Sequence, residues 1–248
     1  RGSKLRRQAG LSAQTWSYDQ EALVLEFSHA KPHANFARQI FFKDGPLALL
    51  PLPATSQFPN RSSLVWSMKP GLPKGLMALS DVDLSQILSS KIQHVLGDAQ
   101  VQGPRWSYPL SALQVETLVQ PGFVAIGEAA HGLHPIAGQG LNLSLRDCQS
   151  LVEHVMQARS VGASFGDYEI LTAYQQSRRA DTTAMLSVTD LLTKLHSSQL
   201  PGASLVSGMG MKALDRQPKL KAPLMRHALG LQSFGGLQGF GELQGFGS

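Results

Sequence analysis

The residue types best suited to binding a charged or aromatic group lie together in the segment 127–142, which reads GEAAHGLHPIAGQGLN. An apolar run (122–127) predicted to be a buried strand ends there, a loop rich in glycine and proline follows, and an amphipathic helix begins. The unpaired N–H groups of a first helical turn, with the helix dipole, favour an anion or a ring edge that becomes anionic. Gly138 and Gly140 would let such a ligand approach the backbone closely. A glycine-rich turn before a core helix is the simpler alternative.

Two other chemistries have less support in this loop. Glu128, His131 and His134 could ligate a metal, but their spacing, interrupted by Gly132 and Pro135, does not place two histidines on one helix face. We therefore predict no metal site. We expect His131 to order the loop by donating a hydrogen bond, and His134 to do the same or to line a pocket. No Gly-x-Ser-x-Gly motif is present, so a serine hydrolase has no support.

Length and composition exclude several classes of protein. The 248 residues suffice for one large domain or two modest ones, and 42% hydrophobic residues with 16% charged residues argue against disorder of the whole chain. One cysteine rules out an intrachain disulfide and fits a reducing compartment. No uninterrupted apolar run of membrane-spanning length occurs. The net charge of +5 does not indicate nucleic acid as a partner. The start at Arg1, without Met or a signal-peptide pattern, suggests a chain cut at its front edge.

The elements before the loop are predicted to form antiparallel sheet with a helix. Strands are expected at 22–27, 37–42, 47–53, 62–68 and 105–113, with a hairpin at Asp44-Gly45. Pro51 and Pro53 place the third strand at a sheet edge or at a strand end. Asp81 is expected to cap a helix that runs to about Val95.

The elements after the loop are predicted to be helical. Hydrophobic residues recur at helical spacing and are expected to face the core, with Cys148 packed there; they are Leu141, Leu145, Cys148, Val152 and Val155. A long helical region follows Asp167. The last eighteen residues (231–248) contain six glycines in three related six-residue units and are predicted to be a flexible tail, or alternatively an adhesive peptide for a partner.

Several motifs together resemble one family, the ubiquinone-biosynthesis hydroxylases, which are flavin-dependent aromatic monooxygenases of the UbiH/COQ6 type. The segment 134–147 (HPIAGQGLNLSLRD) resembles their signature, and 127–131 (GEAAH) matches their Gly-Asp motif. Three more segments resemble parts of the family: 3–6 resembles the end of a further motif, 47–53 an edge strand of the substrate sheet, and 174–181 the C-terminal helices. Glu128 stands where the family usually has Asp, and Ser144 where it usually has Gly.

The resemblance implies a fold of the para-hydroxybenzoate-hydroxylase type (α+β / α/β), with an antiparallel substrate sheet and C-terminal helices. The family's N-terminal nucleotide-binding motif, Gly-x-Gly-x-x-Gly, has no copy in the sequence. Gly208 to Ala213 matches the related pattern Gly-x-Gly-x-x-Ala, which we interpret as a chance match. The implied parts are 1–10, the end of an FAD-domain segment; 11–115, the substrate sheet with helices; 116–160, the FAD-domain return; 161–230, C-terminal helices; and 231–248, the tail.

The implied activity is hydroxylation of a polyprenylated phenol in ubiquinone biosynthesis, with FAD as cofactor and NAD(P)H and dioxygen as co-substrates. The alternative is a non-enzymatic fragment or a prenyl-lipid-binding remnant that does not retain flavin. No side chain is predicted to be catalytic. The expected cofactor-binding residues are Arg6, Gly127, Glu128, Pro135, Gly138, Gln139, Gly140, Leu141 and Asn142.

Partners and location follow from the same resemblance. The substrate implies a cytoplasmic protein, peripheral at the inner face of the membrane, and other ubiquinone-biosynthesis proteins are implied as partners. Basic residues near both ends either form a solvated face or contact anionic lipid; they are Arg1, Lys4, Arg6, Arg7, Lys212, Arg216, Lys219, Lys221 and Arg226.

Overall fold

A computed structural model describes residues 2–197 and Gln217, which fall into two compact units. Unit 1 contains residues 2–14 and 113–191, and unit 2 contains residues 15–112 and 192–197. The predicted tail, the helices expected after residue 197, the second basic cluster (212–226), Arg1 and the segment 208–213 lie outside the described residues. The elements in chain order are α1 (Lys4–Gln8), β1 (Ala13–His29), β2 (Arg38–Phe42), β3 (Gly45–Leu52), β4 (Arg61–Met68), α2 (Leu72–Met77), α3 (Asp81–Leu96), β5 (Ala99–Val115), β6 (Val119–Gln120), β7 (Phe123–Val124), β8 (His131–Gly132), α4 (Gly140–Ser160) and α5 (Tyr168–Ser197).

Unit 2 is built on an antiparallel sheet, as predicted. Its strand order is β2-β3-β4-β1-β5, and β1 pairs with β4 from Glu21 opposite Met68 to Ser28 opposite Arg61. Apolar side chains alternate along these strands and pack against the apolar face of α3, since period-two strands and a helical stripe each present one hydrophobic side. The buried residues on α3 are Leu84, Leu88, Ile92 and Leu96.

The start of α3 differs by one residue from the prediction. Ser80, not Asp81, caps the helix: its backbone is extended and its Oγ accepts a hydrogen bond from the N–H of Asp83 at 3.1 Å. Asp81 is instead the first helical residue, where an acidic side chain favours the positive end of the helix dipole. The predicted helix is otherwise confirmed.

The predicted hairpin at Asp44-Gly45 is confirmed, with Lys43 and Asp44 as its two-residue loop and Phe42 opposite Gly45. Gly45 has φ +130°, and a Cβ there would lie 2.0 Å from the carbonyl oxygen of Ser67. Pro51 lies in β3 beyond the last residue that β2 pairs, so its missing N–H falls at the strand end that the sequence predicted.

Unit 1 contains the elements that hold the 127–142 segment. Among its described residues, one apolar cluster lies around Leu113, Val115 and Ala130 and another around Leu171 and Tyr174. The strand predicted at 122–127 is shorter than expected: only Phe123 and Val124 (β7) pair in a ladder, with β6. Gly122 (φ +72°) and Gly127 (φ +58°) limit the extended run at both ends. Among the described helices, none is both long and apolar enough to cross a bilayer.

We expect Gly45→Ala to destabilise the chain by about 3 kcal/mol or more, because its Cβ would collide with rigid backbone. Gly75→Ala in α2 is the matched control, since a Cβ there meets nothing within 4 Å. The control should be neutral or stabilising by up to about 1 kcal/mol. Urea unfolding measures both changes, and equal effects for the two variants would contradict the packing described.

Candidate functional site

The 127–142 segment consists of two tight turns and a helix start. A 3₁₀ turn (Gly127–Ala129) leads into β8, and a second 3₁₀ turn (Pro135–Ala137) leads into α4. Buried His134 begins the second turn, where its Nδ1 accepts a hydrogen bond from the N–H of Ile136 at 3.0 Å. Gly138 ends that turn with φ +62°, a left-handed conformation that glycine adopts without strain. The chain is thereby turned into α4.

The inner side of this segment is fixed by the carboxylate of Asp147 on α4. One carboxylate oxygen, Oδ2, accepts hydrogen bonds from the N–H of Gly127 at 3.0 Å and from Nε2 of His131 at 2.6 Å. Asp147 and His131 are 1% and 2% exposed. As predicted, His131 orders the loop by donating a hydrogen bond, and the structure identifies its acceptor.

The other carboxylate oxygen of Asp147 joins the loop to α5. Oδ1 accepts from Nε of Arg178 at 2.9 Å, and Arg178 also pairs with Asp181 at 2.7 Å. Arg146 of α4 completes the set by pairing with Asp181 at 3.0 Å. Two buried arginines thus face two buried aspartates, and removing one partner of such a set typically costs about 3–5 kcal/mol.

The network also sets the acidity of its members. Burial acts to raise the pKa of Asp147, but the hydrogen bonds from His131, Arg178 and Gly127 outweigh it and hold that pKa below its usual range. A depressed carboxyl pKa stabilises the folded unit above the unfolded value of about 4, and this contribution is lost as pH falls through the folded pKa. For Arg178, burial acts to lower the pKa, while Asp147 and Asp181 raise it above its ordinary value. Asp147 and Arg178 are therefore both charged at neutral pH.

Arg6, predicted to support the cofactor, lies against the first turn of this segment. It is 6% exposed, and its Nη1 donates to the carbonyl of Ala129 at 2.9 Å. Its Nε is buried with no hydrogen-bond partner among the described residues. Arg6 is therefore buried, whereas its basic neighbours Lys4 and Arg7 are exposed.

The outer side of the segment is open, which is what close approach of a flat cofactor requires. A Cβ at Gly138 or Gly140 would meet nothing within 4 Å, and no side chain caps the amino end of α4. Pro135, Gln139, Gly140 and Asn142 are half-buried. Glu128, Gly138 and Leu141 are exposed, whereas Gly127, the last predicted residue of the segment, is buried. A helix start with this open, glycine-lined surface fits the edge of a flavin ring.

The position of Ser144 shows how the chain tolerates a residue where the family usually has glycine. Its Oγ donates to the carbonyl of Gly140 at 2.8 Å. A Cβ built on Gly127 would lie 3.1 Å from that Oγ and 3.3 Å from the Ser144 Cβ. Ser144 therefore fits because Gly127 has no side chain.

The prediction for the apolar stripe of α4 was wrong. Leu141, Leu145 and Val152 are 70%, 57% and 59% exposed, and Cys148 is exposed as well rather than packed in a core. The buried residues of α4 are Leu143, Arg146, Asp147 and Ala158. The buried face of α4 instead carries charged residues, Arg146 and Asp147, that pair with Asp181 and Arg178 of α5, since a buried charge must be paired.

The sequence pattern did not indicate the roles of Arg146, Asp147, Arg178 and Asp181. The i, i+3 spacing of Arg178 and Asp181 on one helix face is the only local signal for their pairing. The partners on α4 lie more than thirty residues away in sequence. Within the described residues, no group of three His, Cys, Asp or Glu side chains is placed to hold a metal ion.

Comparison with known proteins identifies the family. Residues 1–189 match the family described as FAD binding domain. The chain belongs to this family. The match includes the whole 127–142 segment and the four charged residues beneath it, so the site described above lies within the matched residues.

Curated relatives confirm the resemblance to the ubiquinone-biosynthesis hydroxylases. Ubiquinone hydroxylase UbiL of Rhodospirillum rubrum is 37% identical over 95% of this chain and 54% of its own length. The 3-demethoxyubiquinol 3-hydroxylase of Escherichia coli is 32% identical over 92% of this chain and 57% of its own. Mouse ubiquinone biosynthesis monooxygenase COQ6, a mitochondrial protein, is 33% identical over 91% of this chain and 54% of its own length. The chain thus spans little more than half the length of these relatives.

Solved structures confirm the predicted para-hydroxybenzoate-hydroxylase-like fold. A flavin-dependent brominase has a TM-score of 0.68 at 16% identity over 91% of this chain and 54% of its own. The p-nitrophenol 4-monooxygenase PnpA of Pseudomonas putida has a TM-score of 0.67 at 15% identity and covers 92% of this chain and 57% of its own. At these identities the likeness concerns the fold.

We expect Gly127→Ala to destabilise the chain by about 2 kcal/mol, since it combines left-handed backbone strain with the close approach to Ser144. In a Ser144→Gly background the cost should fall to about 1 kcal/mol, because only the backbone strain remains. A double-mutant cycle by urea unfolding measures the coupling. The same cost in both backgrounds would contradict the expected clash between Ser144 and a side chain at position 127.

Proposed function

We propose that this chain provides the flavin-contacting part of an FAD-dependent hydroxylase that acts on a polyprenylated phenol in ubiquinone biosynthesis. One observation carries the proposal: the 127–142 segment combines an open, glycine-lined helix start with an inner side fixed on a buried carboxylate. The names of the relatives support the reaction class and the pathway.

The backbone from Gly138 to Asn142 would hold the pyrimidine edge of the flavin ring, with Pro135 beside it. The N–H groups and the dipole of α4, a helix of 21 residues, would stabilise negative charge on that edge. Glu128 would contact the ribityl chain, with a reach one methylene longer than the family's Asp. Arg6 would support the phosphate region through its remaining donors, since Nη1 is already bonded to the Ala129 carbonyl.

A bound FAD would supply the oxidation chemistry, with NAD(P)H as the source of electrons and dioxygen as the source of the hydroxyl oxygen, the other oxygen atom leaving as water. The residues of this chain would bind and orient the ring and exclude water from it. We assign no side chain the role of acid or base. The antiparallel sheet of unit 2 is proposed to bind the phenol.

A lipid substrate also suggests where the protein works. We propose contact with an anionic membrane surface and with other proteins of ubiquinone biosynthesis. Among the described basic residues, Lys4 and Arg7 are exposed and available for such contact. The relatives' names support only the pathway, so membrane contact requires its own measurement by vesicle flotation.

Gly140→Val tests the proposed function directly. A Cβ at Gly140 meets no protein atom within 4 Å, so the variant should fold normally while its branched side chain blocks the approach of the ring. We expect the wild-type chain to quench flavin fluorescence on titration with FAD or FMN, and the variant to lose about 100-fold or more in affinity, the effect of a clash of about 3 kcal/mol.

Gly75→Val in α2 is the matched control, because it makes the same change at an equally open helical position of unit 2. It should bind flavin like the wild type. Unchanged flavin affinity of Gly140→Val would contradict the assignment of the helix start. A wild-type chain that binds no flavin would favour the alternative, a fragment or prenyl-lipid-binding remnant without cofactor.

A further inference from the structure

Asp147 is the point at which the 127–142 segment is attached to the rest of unit 1. Its Oδ2 binds both ends of the five-residue stretch 127–131, Gly127 through its backbone and His131 through its ring. The 3₁₀ turn of 127–129 lies between these two bonds. Exposed Glu128 is at the centre of that turn. Fixing both ends of so short a stretch fixes the turn as well.

The attachment depends on this one carboxylate. The Nδ1 of His131 is buried without a hydrogen-bond partner among the described residues, so the bond from Nε2 to Asp147 provides the ring's polar anchor there. On the opposite side, Arg178 binds Oδ1 and prevents the carboxylate from turning away. Donors therefore converge on both oxygens, an arrangement that only an acceptor with two oxygens satisfies.

We propose that Asp147 is the positioning residue of the cofactor site. Asp147 lies on α4 and holds the turn that carries Glu128 at a fixed position relative to that helix. Glu128 and the amino end of α4 can therefore contact the same cofactor molecule. This inference rests on the proposed function, because the ligand it positions for is the flavin. Asp147 acts through Gly127 and His131.

The informative variant is Asp147→Asn. An asparagine keeps the shape but offers one oxygen, so its NH₂ group must face either the donors of the loop or the guanidinium of Arg178. Asp181→Asn is the matched control, since Asp181 belongs to the same buried network and pairs with Arg146 and Arg178 on α4 and α5. A purely structural role predicts the same result for both variants.

Two measurements separate the roles: hydrogen exchange at the Gly127 amide without flavin, and FAD affinity by fluorescence quenching. For Asp147→Asn we expect about tenfold faster exchange and about tenfold weaker FAD binding, as for loss of a buried charge-assisted hydrogen bond. For Asp181→Asn both should stay near wild type even where the melting temperature falls equally. Equal changes in the two variants, or no change in Asp147→Asn, would overturn the proposal.

Two further outcomes remain interpretable. If Asp147→Asn does not fold, His131→Phe takes its place, because it removes only the ring's bond to Asp147 and leaves the Arg178 contact intact. It should then weaken FAD binding and speed Gly127 exchange, and wild-type values would overturn the proposal. If the wild-type chain binds no FAD, the proposed function fails, and the exchange contrast between the two Asn variants decides alone whether Asp147 positions the turn.

Discussion

The burial of one carboxylate, that of Asp147, determines how the 127–142 segment of unit 1 is held. A charge removed from water must be paired and fully hydrogen-bonded, or the fold loses several kcal/mol. Asp147 meets that requirement with three donors: the N–H of Gly127 and the ring of His131, both in the loop, and the guanidinium of Arg178 on α5. The charged residues Arg146 and Asp147 of α4 are accordingly buried against α5, while Leu141, Leu145 and Cys148 are exposed.

The two sides of the 127–142 segment therefore have different tasks. The inner side is rigid because hydrogen bonds to a buried carboxylate fix its turn. The outer side carries no side chain at Gly138 and Gly140, so the backbone donors of α4 remain approachable. A rigid support beneath an open row of donors suits the proposed role, since stabilising charge on a ring requires dipoles that are already in place.

Much of the fold followed from local pattern. The strands of unit 2 and the hairpin at Gly45 were predicted because alternation and turn chemistry are encoded by neighbouring residues. The face of α4 was not, because hydrophobic spacing alone favours burying leucines, whereas the buried arginines and aspartates depend on a helix far away in sequence. The loop was found through its glycines and histidines, and its anchor Asp147 was missed for the same reason as the helix face.

The most direct test of the account is an amide NMR titration of the chain with FAD. The largest chemical-shift changes should fall in two groups, residues 138–142 at the start of α4 and residues 127–129 in the first turn. The Gly127 amide should remain protected from exchange throughout, because its bond to Asp147 is made before the cofactor arrives. Shifts concentrated outside 127–142, or a Gly127 amide that becomes protected only when FAD is added, would contradict a cofactor site preformed on a buried carboxylate.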